Sequence, residues 1–291
     1  MNHRTTGEKI FAVFNTIILC MLVVVTLYPC LYVLFASFSE PLEFYRSNKL
    51  LLAPAGFSLE SYKHVFKSSL IWTGYANTAF YVIVGTTCNV FATVLGGYCL
   101  SRRNLPGKSF ILMAMAFTMY FHGGMIPNFI LVRSLGLLDT RAAMFLPDLI
   151  STYNMVIVIT YFKGLPESLE EAAIIDGANE WTVLFKILLP LSKPVVAVIA
   201  LYYAVGIWND FMTAVLYISS QDKYPLQLVL REILISGSLQ AQEAQQVNDA
   251  SASEETIKYA VMVVSTAPIL CVYPFIQRYF TKGVMIGAIK G

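Results

Sequence analysis

Residue types that could carry out catalysis are few and scattered in this sequence. Gly107-Lys108-Ser109 matches the end of a phosphate-binding loop, but Arg102 replaces the glycine that such a loop requires five positions earlier. The three histidines lie far apart, and no Ser/His/Asp grouping occurs. We therefore expect no catalytic residue, no bound metal and no cofactor here, and predict that the chain is not an enzyme by itself.

The cysteines also point away from redox or metal chemistry. They form no CxxC pair, have no histidine at ligand spacing and all lie in apolar stretches: Cys20, Cys30, Cys88, Cys99 and Cys271. In such surroundings cysteine behaves as a small hydrophobic residue. Neither a zinc site nor a disulfide framework is predicted.

Polar and aromatic side chains recur along one face of several apolar stretches. Tyr202, Gly206, Asn209 and Thr213 repeat at intervals of three or four residues, which places them on one side of a helix. Polar groups in lipid are costly unless they face a cavity or another helix, so such stripes mark a possible transport path. The candidates are Asn77, Tyr81, Tyr153, Asn154, Tyr202 and Asn209. Aromatic rings and amides suit a neutral carbohydrate, but the same side chains also join transmembrane helices to one another.

The elements that must position these residues are membrane-spanning helices. The chain has 291 residues, of which 57% are hydrophobic and 13% charged, too apolar for an ordinary soluble domain. A formal net charge of +2 argues against a nucleic-acid partner. Because a bilayer core of about 30 Å requires about 20 apolar residues as helix, we predict an all-α polytopic protein with six transmembrane helices. They lie within residues 9–40, 67–102, 108–133, 141–163, 194–218 and 259–277.

Positive charges near the ends of these stretches predict the orientation. Arg102, Arg103 and Lys108 cluster in a short connection between the second and third stretches. Short loops rich in Lys and Arg stay on the cytoplasmic side. Both termini are therefore predicted to be cytoplasmic, and the first stretch is kept as an uncleaved helix because it is longer than a signal peptide's apolar region.

The connection between the fourth and fifth stretches, residues 163–192, has more structure than a passive loop needs. Its glutamates favour the positive N-terminal end of a helix, and Gly177 suits the left-handed residue that ends one. Asn179 can cap a second helix that reaches Leu189 and stops at Pro190. A helix lying on the membrane surface is one interpretation, but the acidic edge and the lack of a polar face favour docking into a protein groove.

This segment resembles the EAA motif of ABC importer permeases. The match comprises Glu171, Ala172, Ala173, Gly177, Ile187, Leu189 and Pro190, without a gap. The resemblance extends along nearly the whole chain. Residues 277–291 are similar to the carbohydrate branch of these permeases, particularly the importers of oligosaccharides and polysaccharide fragments.

The resemblance implies a type I ABC importer permease fold. Its parts would be an N-terminal helix with an extracellular segment (1–69), a core domain (70–280) that contains the coupling segment (163–192), and a cytoplasmic tail (281–291). In this family the EAA segment is a coupling helix seated on an ATPase subunit. Glu171, Ala172 and Ala173 would lie at that contact, and Gly177 would permit the chain reversal after it.

The same resemblance implies the partners and the function. The partners would be a second homologous permease, two ATPase subunits that use ATP and Mg, a solute-binding protein on the extracellular or periplasmic side, and membrane lipid. The chain would be a multi-pass permease subunit in a bacterial inner membrane that translocates a carbohydrate, expected to be an oligosaccharide. The alternative is an ion-gradient-driven secondary transporter or channel. We consider it weaker because no internal repeat is visible and only Asp148 and Asp210 interrupt the spans.

Overall fold

The computed structural model describes residues 6–47, 50–102, 105–243 and 255–271. The predicted tail 281–291 and Arg103 lie outside these ranges. In chain order the helices are α1 (Thr6–Ser37), α2 (Pro41–Arg46), α3 (Glu60–Lys67), α4 (Ser69–Ser101), α5 (Lys108–Tyr120), α6 (Met125–Ser134), α7 (Thr152–Lys163), α8 (Ser168–Ile175), α9 (Glu180–Leu191), α10 (Lys193–Asn209), α11 (Met212–Tyr217), α12 (Leu226–Glu243) and α13 (255–271).

Two described helices, α1 and α4, are long and apolar enough to cross a membrane. Two pairs meet the same test only when taken together, and each is bent: α5 with α6 by 119°, and α9 with α10 by 84°. Along α1, large apolar side chains from Ile10 to Val25 are exposed, as expected for a helix that faces lipid. The described helices thus include two candidate spans, or up to four if each bent pair is one span.

The third, fourth and fifth predicted spans are interrupted rather than continuous. The third breaks at residues 121–124, where Gly124 has a φ of +90° that few side chains tolerate. In the fourth, α7 has only 12 residues, preceded by a 3₁₀ turn at Arg141–Met144. The predicted sixth helix, 259–277, is described as α13 up to residue 271.

The fifth predicted span ends early at Asn209. The Asp210 carboxylate accepts a hydrogen bond from the Thr213 backbone N–H at 3.0 Å, which starts the separate helix α11. Thr213 therefore does not continue the stripe of Tyr202, Gly206 and Asn209 on α10, as the sequence pattern predicted. The predicted stripe assumed one continuous helix, whereas α10 ends at Asn209 and a separate helix starts after Asp210.

The chain forms two compact units. The first comprises residues 1–69 and 230–267, and the second comprises residues 70–229 and 268–291. In the first unit Ala36, Phe44 and Leu51 are buried, with Tyr32 and Tyr259 packed against them. The Ser61 hydroxyl donates to the Thr256 hydroxyl at 2.9 Å, which joins α3 to α13.

The second unit has a core built around α4. One buried cluster joins α4 to α7, α9 and α10 through residues that include Val94, Val158, Leu184 and Ile199. A second cluster joins α4 to α6, α10 and α11 through residues that include Tyr81, Val132, Ile207 and Tyr217. Because α4 and α10 contribute to both clusters, these two helices form the centre of this unit.

Candidate functional site

The hairpin formed by α8 and α9 is the candidate site. Gly177, with a φ of +79°, ends α8. Its N–H donates to the Ile174 carbonyl at 3.0 Å, and the Ala178 N–H donates to the Ala173 carbonyl at 2.9 Å. This pair of bonds is a Schellman motif, which satisfies the last carbonyls of a helix and reverses the chain. The prediction that Gly177 adopts the left-handed conformation is confirmed.

The second helix of the hairpin begins with a side-chain cap. The Asn179 Oδ1 accepts from the Thr182 backbone N–H at 2.8 Å, as predicted. The predicted stop at Pro190 is wrong, because α9 continues to Leu191. A π-helical segment, Val183–Leu188, ends two residues before Pro190. Its wider turns ease the clash that a proline ring makes with the carbonyl four residues earlier.

The motif residues divide between the interior and the surface. Ala173, with 6% of its surface exposed, packs in the cluster around α4 and α7 together with the partly buried Ile187 and Leu189. Glu171, Ala172, Gly177 and Pro190 are exposed. The motif therefore anchors the hairpin with one set of residues and presents another set to the outside. Because Ala173 is buried in this cluster, little of its surface is exposed for contact with another subunit.

Apolar side chains enlarge the exposed surface of the hairpin. Ile175 is 86% exposed and Trp181 60% exposed, and Ile174 is also exposed. The Trp181 and Phe185 rings stack with centroids 5.9 Å apart. Sequence reasoning missed Trp181 and Phe185; their spacing of four residues on one helix was the available signal. Exposed apolar residues next to acidic ones are typical of a protein contact surface.

The base of the hairpin lies against the end of α4. Arg102 forms an ion pair with Glu170 of α8, and the Tyr98 hydroxyl donates to the Glu180 carboxylate of α9. A cavity of about 1030 Å³ opens beside these contacts, lined by both acidic and basic side chains. The mixed charge of this cavity gives no preference for an anionic or a cationic ligand.

Two of the candidate path residues bind backbone. The buried Asn77 amide donates to the carbonyls of Asp222 at 2.7 Å and Tyr224 at 3.1 Å, and the buried Tyr81 hydroxyl donates to the Lys223 carbonyl at 2.7 Å. In this unit they hold the segment 221–226 to α4. Their role in a transport path stays a prediction.

The other candidates lie on α7 and α10. Tyr153, 57% exposed, and Tyr202 have ring centroids 6.2 Å apart. Asn209 is exposed and its amide donates to the Val205 carbonyl of its own helix at 2.8 Å, whereas Asn154 is buried. The structure thus brings Tyr153 and Tyr202 together on the surface of this unit. Whether they meet a transported molecule stays a prediction.

Comparison with known proteins identifies the family. The model of the binding-protein-dependent transport system inner membrane component matches residues 1–286. The chain belongs to this family. It is 42% identical to Protein LplC of Bacillus subtilis (strain 168), over 99% of this chain and 98% of that one. It is 43% identical to the polygalacturonan/rhamnogalacturonan transport system permease protein YtcP of the same organism, over 94% of this chain and 96% of that one.

A solved structure supports the same assignment. The chain resembles a chain of a bacterial ABC transporter involved in the import of the acidic polysaccharide alginate, with a TM-score of 0.88 and 32% identity. The match covers 96% of this chain and 100% of the other. The protein is therefore a membrane component of an ABC transport system, with the fold of an importer permease.

Two polar networks in the permease had no signal in the sequence. The buried Tyr203 hydroxyl lies 2.7 Å from the Thr93 hydroxyl and accepts from the Ser151 backbone N–H at 2.9 Å, which joins α10, α4 and the start of α7.

Within the described ranges, no three His, Cys, Asp or Glu side chains come together as metal ligands.

The second network centres on Asp139. Its carboxylate accepts from the backbone N–H groups of Ser219 and Ser220 and from the Lys223 ammonium, 2.9 Å away. Hydrogen bonds from the Ser220 hydroxyl and backbone, together with the bond from Lys223, hold the pKa of the Asp139 carboxyl far below its usual value. The network ties the turn after α6 to the segment that Asn77 and Tyr81 also hold.

Proposed function

We propose that this chain is the membrane-spanning permease subunit of an ATP-driven importer that translocates an oligosaccharide delivered by a solute-binding protein. The observation that carries the proposal is the hairpin of α8 and α9. Its motif residues anchor it on α4 and α7, while Glu171, Ile175 and Trp181 remain exposed. A rigid element with an uncovered apolar and acidic surface is suited to a partner that pushes on it.

The relatives support the class of cargo. One is named for polygalacturonan and rhamnogalacturonan transport, and the solved transporter is involved in alginate import. The exposed Tyr153 and Tyr202 rings are suited to stack on sugar faces, and the Asn209 amide to bond hydroxyl groups. We propose that these residues line the path at a contact with a second, homologous permease.

In this proposal the permease crosses a bacterial inner membrane six times with both termini in the cytoplasm. The hairpin then lies on the cytoplasmic side and contacts one of two ATPase subunits, which bind ATP and Mg and carry out hydrolysis. The segment 221–226 lies on the opposite side, where the solute-binding protein docks. The short connection with Arg102 and Lys108 supports this orientation.

The proposed cycle is a shift between two arrangements of the permease pair. Closure of the ATPases moves the two hairpins and opens the path to the solute-binding protein, and release of the hydrolysis products reverses the change. ATP shifts this equilibrium only if it binds one arrangement more tightly than the other. The permease contributes the moving surface and the path, and the ATPases contribute the free energy.

Reconstitution tests the proposal. The chain, its partner permease, the ATPases and the solute-binding protein are placed in proteoliposomes, and uptake of labelled oligosaccharides, neutral and uronate-containing, is measured. We expect uptake that requires both ATP and the binding protein, and no ATP hydrolysis by the purified chain alone. Uptake driven by a proton or sodium gradient without the ATPases would instead establish an ion-gradient transporter and refute the proposal.

A further inference from the structure

The hairpin is joined to the end of α4 by two polar contacts that lie outside the EAA motif. Arg102, the residue after α4, pairs with Glu170 in the first turn of α8. Tyr98, in the last turn of α4, donates its hydroxyl to Glu180 at the start of α9. Each helix of the hairpin therefore makes one of these two contacts, and both come from the same end of α4.

Arg102 and Tyr98 are themselves held in place. The Arg102 guanidinium lies 4.4 Å above the centre of the Tyr98 ring, an arrangement that favours a cation. The Tyr98 ring is buried and meets Phe162 of α7 edge-on, with centroids 6.3 Å apart. Lys108, the first residue of α5, donates to the Arg102 carbonyl at 2.6 Å. Contacts from α4, α5 and α7 thus hold Arg102 and Tyr98, the two residues that bind the hairpin, in place.

The first half of α4 is also held by hydrogen bonds. Asn77 and Tyr81 bind the carbonyls of the segment 221–226, and the Thr78 hydroxyl accepts from the Leu226 backbone N–H at 2.8 Å. Between Tyr81 and Tyr98 α4 runs on as one helix, with a π-helical segment at Tyr81–Gly85, over about 25 Å. A displacement at one end of such a helix is carried to the other, because close-packed helices shift as bodies rather than deform.

We propose that Arg102 and Tyr98 form a two-point latch that transmits movement of the hairpin to α4 and, through α4, to the segment 221–226. The inference rests on the proposed function, since the latch has a mechanical role only if an ATPase moves the hairpin. Arg102 and Tyr98 are positioning residues in this proposal: they act through Glu170 and Glu180 and keep the hairpin and α4 moving together.

The experiment is a charge exchange in the reconstituted transporter. Arg102→Glu and Glu170→Arg are made singly and together, and the ATP hydrolysed per oligosaccharide imported is measured. Each single variant places like charges at the latch, so we expect this ratio to rise roughly tenfold while the ATPases still co-purify. The double variant restores opposite charges and is expected to return the ratio to within about threefold of the unsubstituted complex.

Two further variants complete the test. Tyr98→Phe removes the hydrogen bond to Glu180 but keeps the ring against Phe162, and we expect the same ratio to rise roughly fivefold, as for the loss of one hydrogen bond. Arg133→Gln removes an exposed arginine after the bend between α5 and α6 and is expected to change nothing.

The outcomes separate the latch from the proposed function. The latch is overturned if Arg102→Glu and Tyr98→Phe both leave the ratio unchanged, or if the double charge exchange recovers no more than the single variants do. By contrast, absence of ATP-dependent uptake in the unsubstituted complex overturns the proposed function itself.

Discussion

At the scale of single residues, the turns between helices depend on a few positions whose backbone conformation or side-chain cap is unusual. Gly177 is required for its conformation rather than for space, because a Cβ at this position would meet no atom within 4 Å. Asn179 and Asp210 each start a helix by accepting a backbone N–H. Gly177 and Asn179 act locally, so the sequence already indicated the turn that they make, whereas the break at Asp210 was not predicted.

Asp139 gives a prediction on pH dependence. Its folded-state pKa is depressed, so its network contributes stability above the unfolded value of about 4, and this stability is lost as pH falls toward the folded value. We expect Asp139→Asn to lower the melting temperature of the detergent-solubilised permease at pH 7 and to flatten the loss of stability below pH 4. Thermal unfolding from pH 3 to pH 8 measures both effects.

Asp176→Asn serves as the control for that measurement, because Asp176 is also an acid in an exposed turn but caps α8 through its backbone. A melting curve of Asp139→Asn that matches the unsubstituted protein at every pH would contradict the assigned role of the network.

At the scale of elements, close packing of α4 against α7 determines the geometry around the hairpin. A Cβ at Gly97 would lie 2.5 Å from a methyl carbon of Val158 and 3.1 Å from its Cβ. Val158 is fully buried in the cluster that also holds Ala173. Gly97 therefore allows α7 to approach α4 and keeps the hairpin in register with it.

We expect Gly97→Ala to destabilise the permease by about 1–3 kcal/mol, the usual cost of overpacking. Gly206→Ala on α10 is the matched control, since a Cβ there meets no atom within 4 Å and alanine favours a helix by up to about 1 kcal/mol. Thermal unfolding of both variants measures the difference. Equal melting temperatures would show that α4 and α7 have room to separate.

At the scale of the whole molecule, the uncovered surface of the hairpin predicts how the permease assembles. Trp181 and Ile175 are the most prominent apolar groups on it. Large apolar side chains at the centre of an interface often account for 2 kcal/mol or more of binding. This surface, rather than the cavity at its base, is the proposed ATPase contact.

We expect Trp181→Ala and Ile175→Asp each to weaken binding of the ATPases about 30-fold or more, measured by co-purification and titration in detergent. Leu135→Asp is the control: Leu135 is equally apolar and exposed but lies in the turn after α6. Unchanged ATPase binding by both hairpin variants, or equal loss in the control, would place the contact elsewhere.

The sequence by itself determined the class of protein, the hairpin and its glycine, because apolar run length, capping residues and a short contiguous motif are all local properties. Only the tertiary structure decided which motif residues face inward, why the third and fifth spans break, and what Asn77 and Tyr81 bind. It alone joined Arg102 to Glu170 and Tyr98 to Glu180, residues far apart in the chain. The spacing of residues along one helix shows which of them share a face, but the packing of the other helices decides what that face contacts.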